Sequence, residues 1–64
     1  MRTAKEMEDY LVKEHGFWFL RSRGSHFRYT DGKGHYVTIP MGHGGKEILK
    51  PKVEKSILVQ AGLK

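Results

Sequence analysis

The stretch Phe17-Trp18-Phe19-Leu20-Arg21-Ser22-Arg23-Gly24-Ser25-His26-Phe27-Arg28-Tyr29-Thr30 decides the fold, because here the pattern changes from a helical period to alternation. Successive side chains of a strand point to opposite faces of a sheet. Read at that period, Phe17, Phe19, Arg21 and Arg23 fall on one face of a first strand, and Trp18, Leu20 and Ser22 on the other. Gly24-Ser25 supplies a tight turn, after which His26, Arg28 and Thr30 separate from Phe27 and Tyr29. The pattern predicts an antiparallel hairpin in which His26 leaves the turn on the polar face beside Arg28.

Working outward, Asp31-Gly32-Lys33-Gly34 reads as a second turn and His35-Tyr36-Val37-Thr38-Ile39 as a third strand. Val37 and Ile39 share one of its faces, Tyr36 and Thr38 the other, and Pro40 ends the strand or leaves it at an edge. Upstream, Thr3-Ala4-Lys5-Glu6 has the form of a capping box opening a helix. Ala4, Met7 and Leu11, with Tyr10 beside them, form its apolar stripe, His15 caps its last turn, and Gly16 stops it. Downstream, Pro51 is suited to the first position of a second helix, with Val53, Ile57, Leu58 and Ala61 as the stripe running to Gly62. The order α-β-β-β-α predicts an α+β fold, a three-stranded antiparallel sheet packed against two helices, in a single domain over residues 1–64.

The chain is short and basic. At 64 residues a domain buries only about 60% of its unfolded surface, so its core is small. Without cysteine it has no disulfides and no thiolate metal ligands. No apolar run approaches the roughly 20 residues of a membrane span, and the N-terminal residues lack the apolar segment of a signal peptide. A cytoplasmic location and no membrane partner are expected. Net charge is +5, distributed as −1 over residues 1–20 and +6 over residues 21–64. A basic region of this kind suits a polyanion such as nucleic acid, or an acidic protein.

Chemistry concentrates around the first turn. A histidine exchanges protons near neutral pH, and arginine presents a charged, planar fork of donors that matches phosphate. His26 flanked by Arg21, Arg23 and Arg28 therefore suggests acid–base work on a phosphodiester, with Gly24 permitting close backbone approach and Ser25 orienting either the substrate or His26. By residue type alone, His26 fits a surface or structural histidine equally well. Lys46, Lys50 and Lys52 add positive charge around the second helix entry, where phosphate or an acidic partner is favoured over bare solvent. Met41-Gly42-His43-Gly44-Gly45-Lys46-Glu47 either closes over a polyanion or simply connects two elements; its Gly45-Lys46 is followed by Glu47 and lacks P-loop spacing. His15, His26, His35 and His43 are spread over separate elements without metal-site company, so no metal and no cofactor is expected.

These residues, in this order, resemble the HicA (YcfA-like) toxins of bacterial and archaeal toxin–antitoxin systems. The resemblance covers nearly the whole chain: Thr3-Ala4-Lys5-Glu6, His15-Gly16-Phe17, Arg23-Gly24-Ser25-His26, Val37-Thr38-Ile39-Pro40, His43-Gly44-Gly45-Lys46-Glu47, Ser56-Ile57-Leu58 and Gln60-Ala61-Gly62-Leu63. It implies a double-stranded-RNA-binding-domain-like fold and a ribonuclease that cuts mRNA and is silenced by a HicB-like antitoxin. It also implies that the histidine of Gly24-Ser25-His26 is catalytic. The chain departs from the family pattern at Met41-Gly42, at Ile48-Leu49, at Lys52-Val53 in place of a Gly-Thr helix entry, and at Phe27, where many members carry a second histidine. The expectation is a metal-independent endoribonuclease with His26 as its single catalytic histidine. The alternative is a non-catalytic RNA-binding module that grips RNA through phosphate and 2′-hydroxyl contacts.

Overall fold

In a computed structural model, which describes residues 2–64, the elements follow the expected order. Helix α1 spans Ala4–Asp9 and continues into a wider π-type turn over Tyr10–Glu14; strands β1 (Trp18–Arg23), β2 (His26–Thr30) and β3 (Tyr36–Pro40) follow, then an irregular turn at Gly42–Gly45 and helix α2 (Pro51–Gln60). The capping box forms at the start of α1: the Glu6 N–H donates to the Thr3 hydroxyl at 3.1 Å, and the Thr3 N–H donates to the Glu6 carboxylate at 2.8 Å. That Thr3 N–H, joined by the hydroxyl, holds the Glu6 carboxyl below the usual carboxylate range. Pro51 takes the first turn of α2 as expected, and no side chain caps that helix at Lys50.

The sheet is antiparallel in the order β1-β2-β3. Strand β2 pairs with β3 through Phe27↔Ile39 and Tyr29↔Val37 on one face, and through His26↔Pro40, Arg28↔Thr38 and Thr30↔Tyr36 on the other. The first of these faces carries the core. Tyr29, Val37 and Ile39 pack there with Ala4, Met7 and Leu11 of the first helix, Ile57 and Leu58 of α2, and Phe17, Leu49 and Ala61. The Tyr29 hydroxyl donates to the Glu8 carboxylate and so ties the sheet to α1; burial, then that bond to a carboxylate, pushes the phenol well above its ordinary pKa. The N-terminal segment is pinned by backbone bonds from Ala4 N–H to the Glu47 carbonyl and from Leu49 N–H to the Arg2 carbonyl, at 3.0 and 2.9 Å.

Two expectations are corrected. The alternation read through Phe17, Phe19, Arg21 and Arg23 breaks at Leu20, because the pairing runs Phe19↔Tyr29 and then Arg21↔Arg28, leaving Leu20 as the extra residue of a β-bulge. A bulge reverses the parity on either side of it. Phe19 therefore lies on the core face, its ring 5.5 Å from that of Phe27 and 5.8 Å from that of Tyr29, whereas Arg21 and Arg23 lie on the opposite face. Val53, expected within the buried stripe of α2, is exposed, since that helix buries only Ile57 and Leu58. Both helices rest on the β3 side of the sheet, and β1 is exposed along its whole length.

Candidate nucleic-acid interface

The uncovered face of the sheet is built in rows of cross-strand neighbours. Residues paired across antiparallel strands have side chains on the same side, with Cβ atoms about 4.5–5.5 Å apart. One row is Arg23–His26–Pro40, the next Arg21–Arg28–Thr38, and the third Trp18–Thr30–Tyr36. The first two rows enclose a shallow cleft of about 320 Å³ lined by Arg21, Arg23, His26, Arg28 and Thr38. That size lies at the small end of ligand pockets, about 300–1,000 Å³.

The local sequence explains how His26 reaches this position. Gly24 adopts φ +60°, a left-handed conformation that glycine enters without a Cβ clash, and a Cβ built there would meet nothing within 4 Å, so the turn is open to close approach. The Ser25 carbonyl accepts from the Met41 N–H at 2.6 Å, fastening the turn to the end of β3. His26 follows as the first residue of β2, exposed, opposite Arg23. Among the described residues its ring has no hydrogen-bond or ion-pair partner, and no group of three histidine, aspartate or glutamate side chains is placed to hold a metal ion.

Electrostatically the cleft is one-sided. Arg21 stands directly opposite Arg28, and among the described residues no carboxylate lines the cleft. Like charges directly opposed across a ladder are destabilising, so this arrangement costs the fold and favours an anion between them. The Arg28 guanidinium also lies over the Tyr36 ring, 5.4 Å from its centroid.

Of the residues singled out in the sequence, the structure gathers His26, Arg21, Arg23 and Arg28 around the cleft, with Gly24 and Ser25 forming the turn beside it. Lys46, Lys50 and Lys52 are exposed but do not line it. Lys50 borders a separate depression with Pro40, Glu47, Ile48, Leu49 and Val53. The segment 41–47 is no loose flap over the cleft: Gly45 is buried, so close to α1 that a Cβ on it would lie 3.0 Å from the Cβ of Lys5. Sequence reasoning missed Thr38. Its parity with Tyr36 was visible, but only the Arg28↔Thr38 register brings it beside His26. Two of the other histidines serve the fold: the His15 ring packs edge-on to Tyr10 at 4.7 Å, and His35 Nδ1 sits 2.7 Å from the Asp31 carboxylate. Partial burial pushes the Asp31 carboxyl up, but bonds from the His35 ring and from the Lys33 and His35 N–H groups outweigh it and hold the group below the usual carboxylate range.

Comparison with protein families matches residues 4–63 to the family described as the HicA toxin of bacterial toxin–antitoxin. No curated protein and no solved structure gives a match. The matched span takes in α1, the whole sheet and α2, including the turn that carries His26. The chain belongs to the HicA toxin family.

Proposed function

We propose that this protein is the toxin of a type II toxin–antitoxin system: a metal-independent endoribonuclease that cuts mRNA in the cytoplasm and is neutralised by a HicB-like antitoxin. The observation that carries the reading is the convergence of His26 with three arginines, and no carboxylate, in one cleft on the open sheet face. Membership of a toxin family supports an antitoxin partner, and the sequence resemblance implies that the histidine of Gly24-Ser25-His26 is catalytic. Among the described residues, no helix is long and apolar enough to cross a membrane.

In the proposed reaction, His26 takes the proton of a ribose 2′-hydroxyl. The freed oxygen forms a bond to the adjacent phosphorus, and the bond from phosphorus to the 5′-oxygen of the next nucleotide breaks. The leaving oxygen takes a proton from water, or from His26 returning the proton it took. The products are a 2′,3′-cyclic phosphate and a 5′-hydroxyl. Arg21, Arg23 and Arg28 hold the phosphate and offset the charge that grows on its oxygens. The positive surface at Lys46, Lys50 and Lys52 lies outside the cleft and serves longer-range attraction of RNA or docking of the antitoxin.

The test is expression of the wild-type chain and of His26→Ala, scored by growth, RNA integrity and the chemistry of the new ends. The wild type is expected to arrest growth, to leave cyclic phosphate ends, to work in EDTA and to spare DNA, which has no 2′-hydroxyl. His26→Ala is expected to do none of this. RNA that is bound and left intact by the wild-type protein identifies a binding module and overturns the nuclease assignment.

A further inference from the structure

The row Trp18–Thr30–Tyr36 lies on the same open face as the cleft and has no part in the reaction just described. Trp18 is 50% and Tyr36 51% exposed, while Thr30 between them is buried at 5%. A core role does not account for two half-exposed aromatic rings on the face that the helices leave bare. We propose that Trp18 and Tyr36 form a stacking subsite for an unpaired nucleobase of the RNA whose phosphate lies in the His26 cleft; the proposal rests on the ribonuclease reading and specifies its substrate as single-stranded.

Four observations converge on a base as the occupant. First, the rings continue the cleft: rows two residues apart along a strand are separated by about 6.5–7 Å, which puts the aromatic row next to Arg21–Arg28–Thr38 and about 13 Å from His26. Second, Arg28 belongs to both sites, lining the cleft and lying over the Tyr36 ring at 5.4 Å, so a phosphate and its neighbouring base are met by adjoining groups. Third, the indole is supported from one side. Gly32, at φ +75°, lets it lie so close to the second turn that a Cβ there would come within 2.7 Å of Cη2, and this contact positions the ring. Fourth, the strand residues of this face include three arginines and no acid, which matches a polyanion. Aromatic side chains on an open sheet flanked by arginines are suited to splayed single-stranded bases, because every base has a π-face to stack. Within a duplex the bases stack on one another and are withheld from such a surface.

Trp18 is the single tryptophan of the chain, so its fluorescence reports on this site alone. The probe is a single-stranded 2′-fluoro oligonucleotide, which lacks the attacking hydroxyl, with binding followed by anisotropy and Trp18 emission recorded in parallel. Emission is expected to be quenched in step with binding, and the same oligonucleotide annealed to its complement is expected to quench far less. Trp18→Ala and Tyr36→Ala are each expected to weaken binding about 5- to 150-fold, the range of stacking losses on alanine substitution. Their salt dependence is expected to stay that of the wild type, whereas Arg21→Gln lowers the salt slope. Melting curves of the variants check that each is folded, and Trp18→Phe is expected to recover most of the affinity. Binding with unchanged emission, or a folded Trp18→Ala that binds as tightly as wild type, overturns the subsite while cleavage of unmodified RNA leaves the ribonuclease reading standing. Emission that responds to an antitoxin and not to RNA overturns it and assigns the rings to protein docking. Failure of the wild type both to bind the oligonucleotide and to cut unmodified RNA overturns both readings.

Discussion

The two faces of the sheet are made of alternate residues on the same strands, and they have opposite chemistry. On the covered face, Tyr29, Val37 and Ile39 are wholly buried against α1 and α2. On the open face, Arg21, Arg23 and His26 are exposed and Arg28 half-buried, with like charges placed directly opposite each other. The difference shows that the packed core and the exposed basic side chains are kept on separate sides of a very small domain, so that under the proposed function stability and recognition are divided between them. Substitutions on one side are therefore expected to move melting and leave recognition, and those on the other to do the reverse.

The largest stability effect is expected from Ile39→Ala on the covered face. Removing a fully buried aliphatic side chain costs about 2–5 kcal/mol, while a core of this size rarely supplies more than about 3–5 kcal/mol in total. The variant is expected to have lost most of its cooperative melt by circular dichroism; a melt within a few degrees of wild type contradicts the placement of the core. Arg21→Gln, on the open face, is expected to do the opposite. It relieves the repulsion with Arg28, so the melting temperature rises slightly while RNA affinity falls. A variant that melts lower and binds RNA as well as wild type breaks the division between the faces.

The smallest effect concerns neither face. Glu6 in the helix cap and Asp31 in the second turn both have carboxyls held below their usual range in the folded state. Their contribution is present above the ordinary carboxylate range, about pH 4, and is lost as pH falls through the depressed values, because the unfolded state then binds more protons. Melting temperature is expected to be flat from pH 7 to about pH 5 and to decline below it, with a shallower decline in Glu6→Gln.

Much of this division was legible in the sequence, for local reasons. The Thr3–Glu6 box, the Gly24-Ser25 turn, Pro51, and the alternation of β2 and β3 are signals that reside within a few residues, and each of these features forms in the fold. Leu20 was not legible as a bulge. Trp18-Phe19-Leu20 is continuously apolar, and an extra residue in an edge strand is fixed by pairing with β2 rather than by its own sequence. As a result, the face shared by Arg21 and His26 could be found only from the register. For the same reason Lys46, Lys50 and Lys52, grouped with the arginines by charge, proved to lie apart from them, since the packing of residues 41–50 against α1 depends on contacts distant in sequence.

The central claim is that the open face is catalytic through His26, and the direct measurement is the cleavage rate of a defined mRNA fragment by wild type and by His26→Ala, with melting curves of both proteins. The rate of His26→Ala is expected to be lower by about 10²–10⁴-fold, the usual contribution of a positioned acid or base, at an essentially unchanged melting temperature, because His26 is exposed and its ring has no partner among the described residues. A folded His26→Ala protein that cuts RNA at the wild-type rate contradicts it.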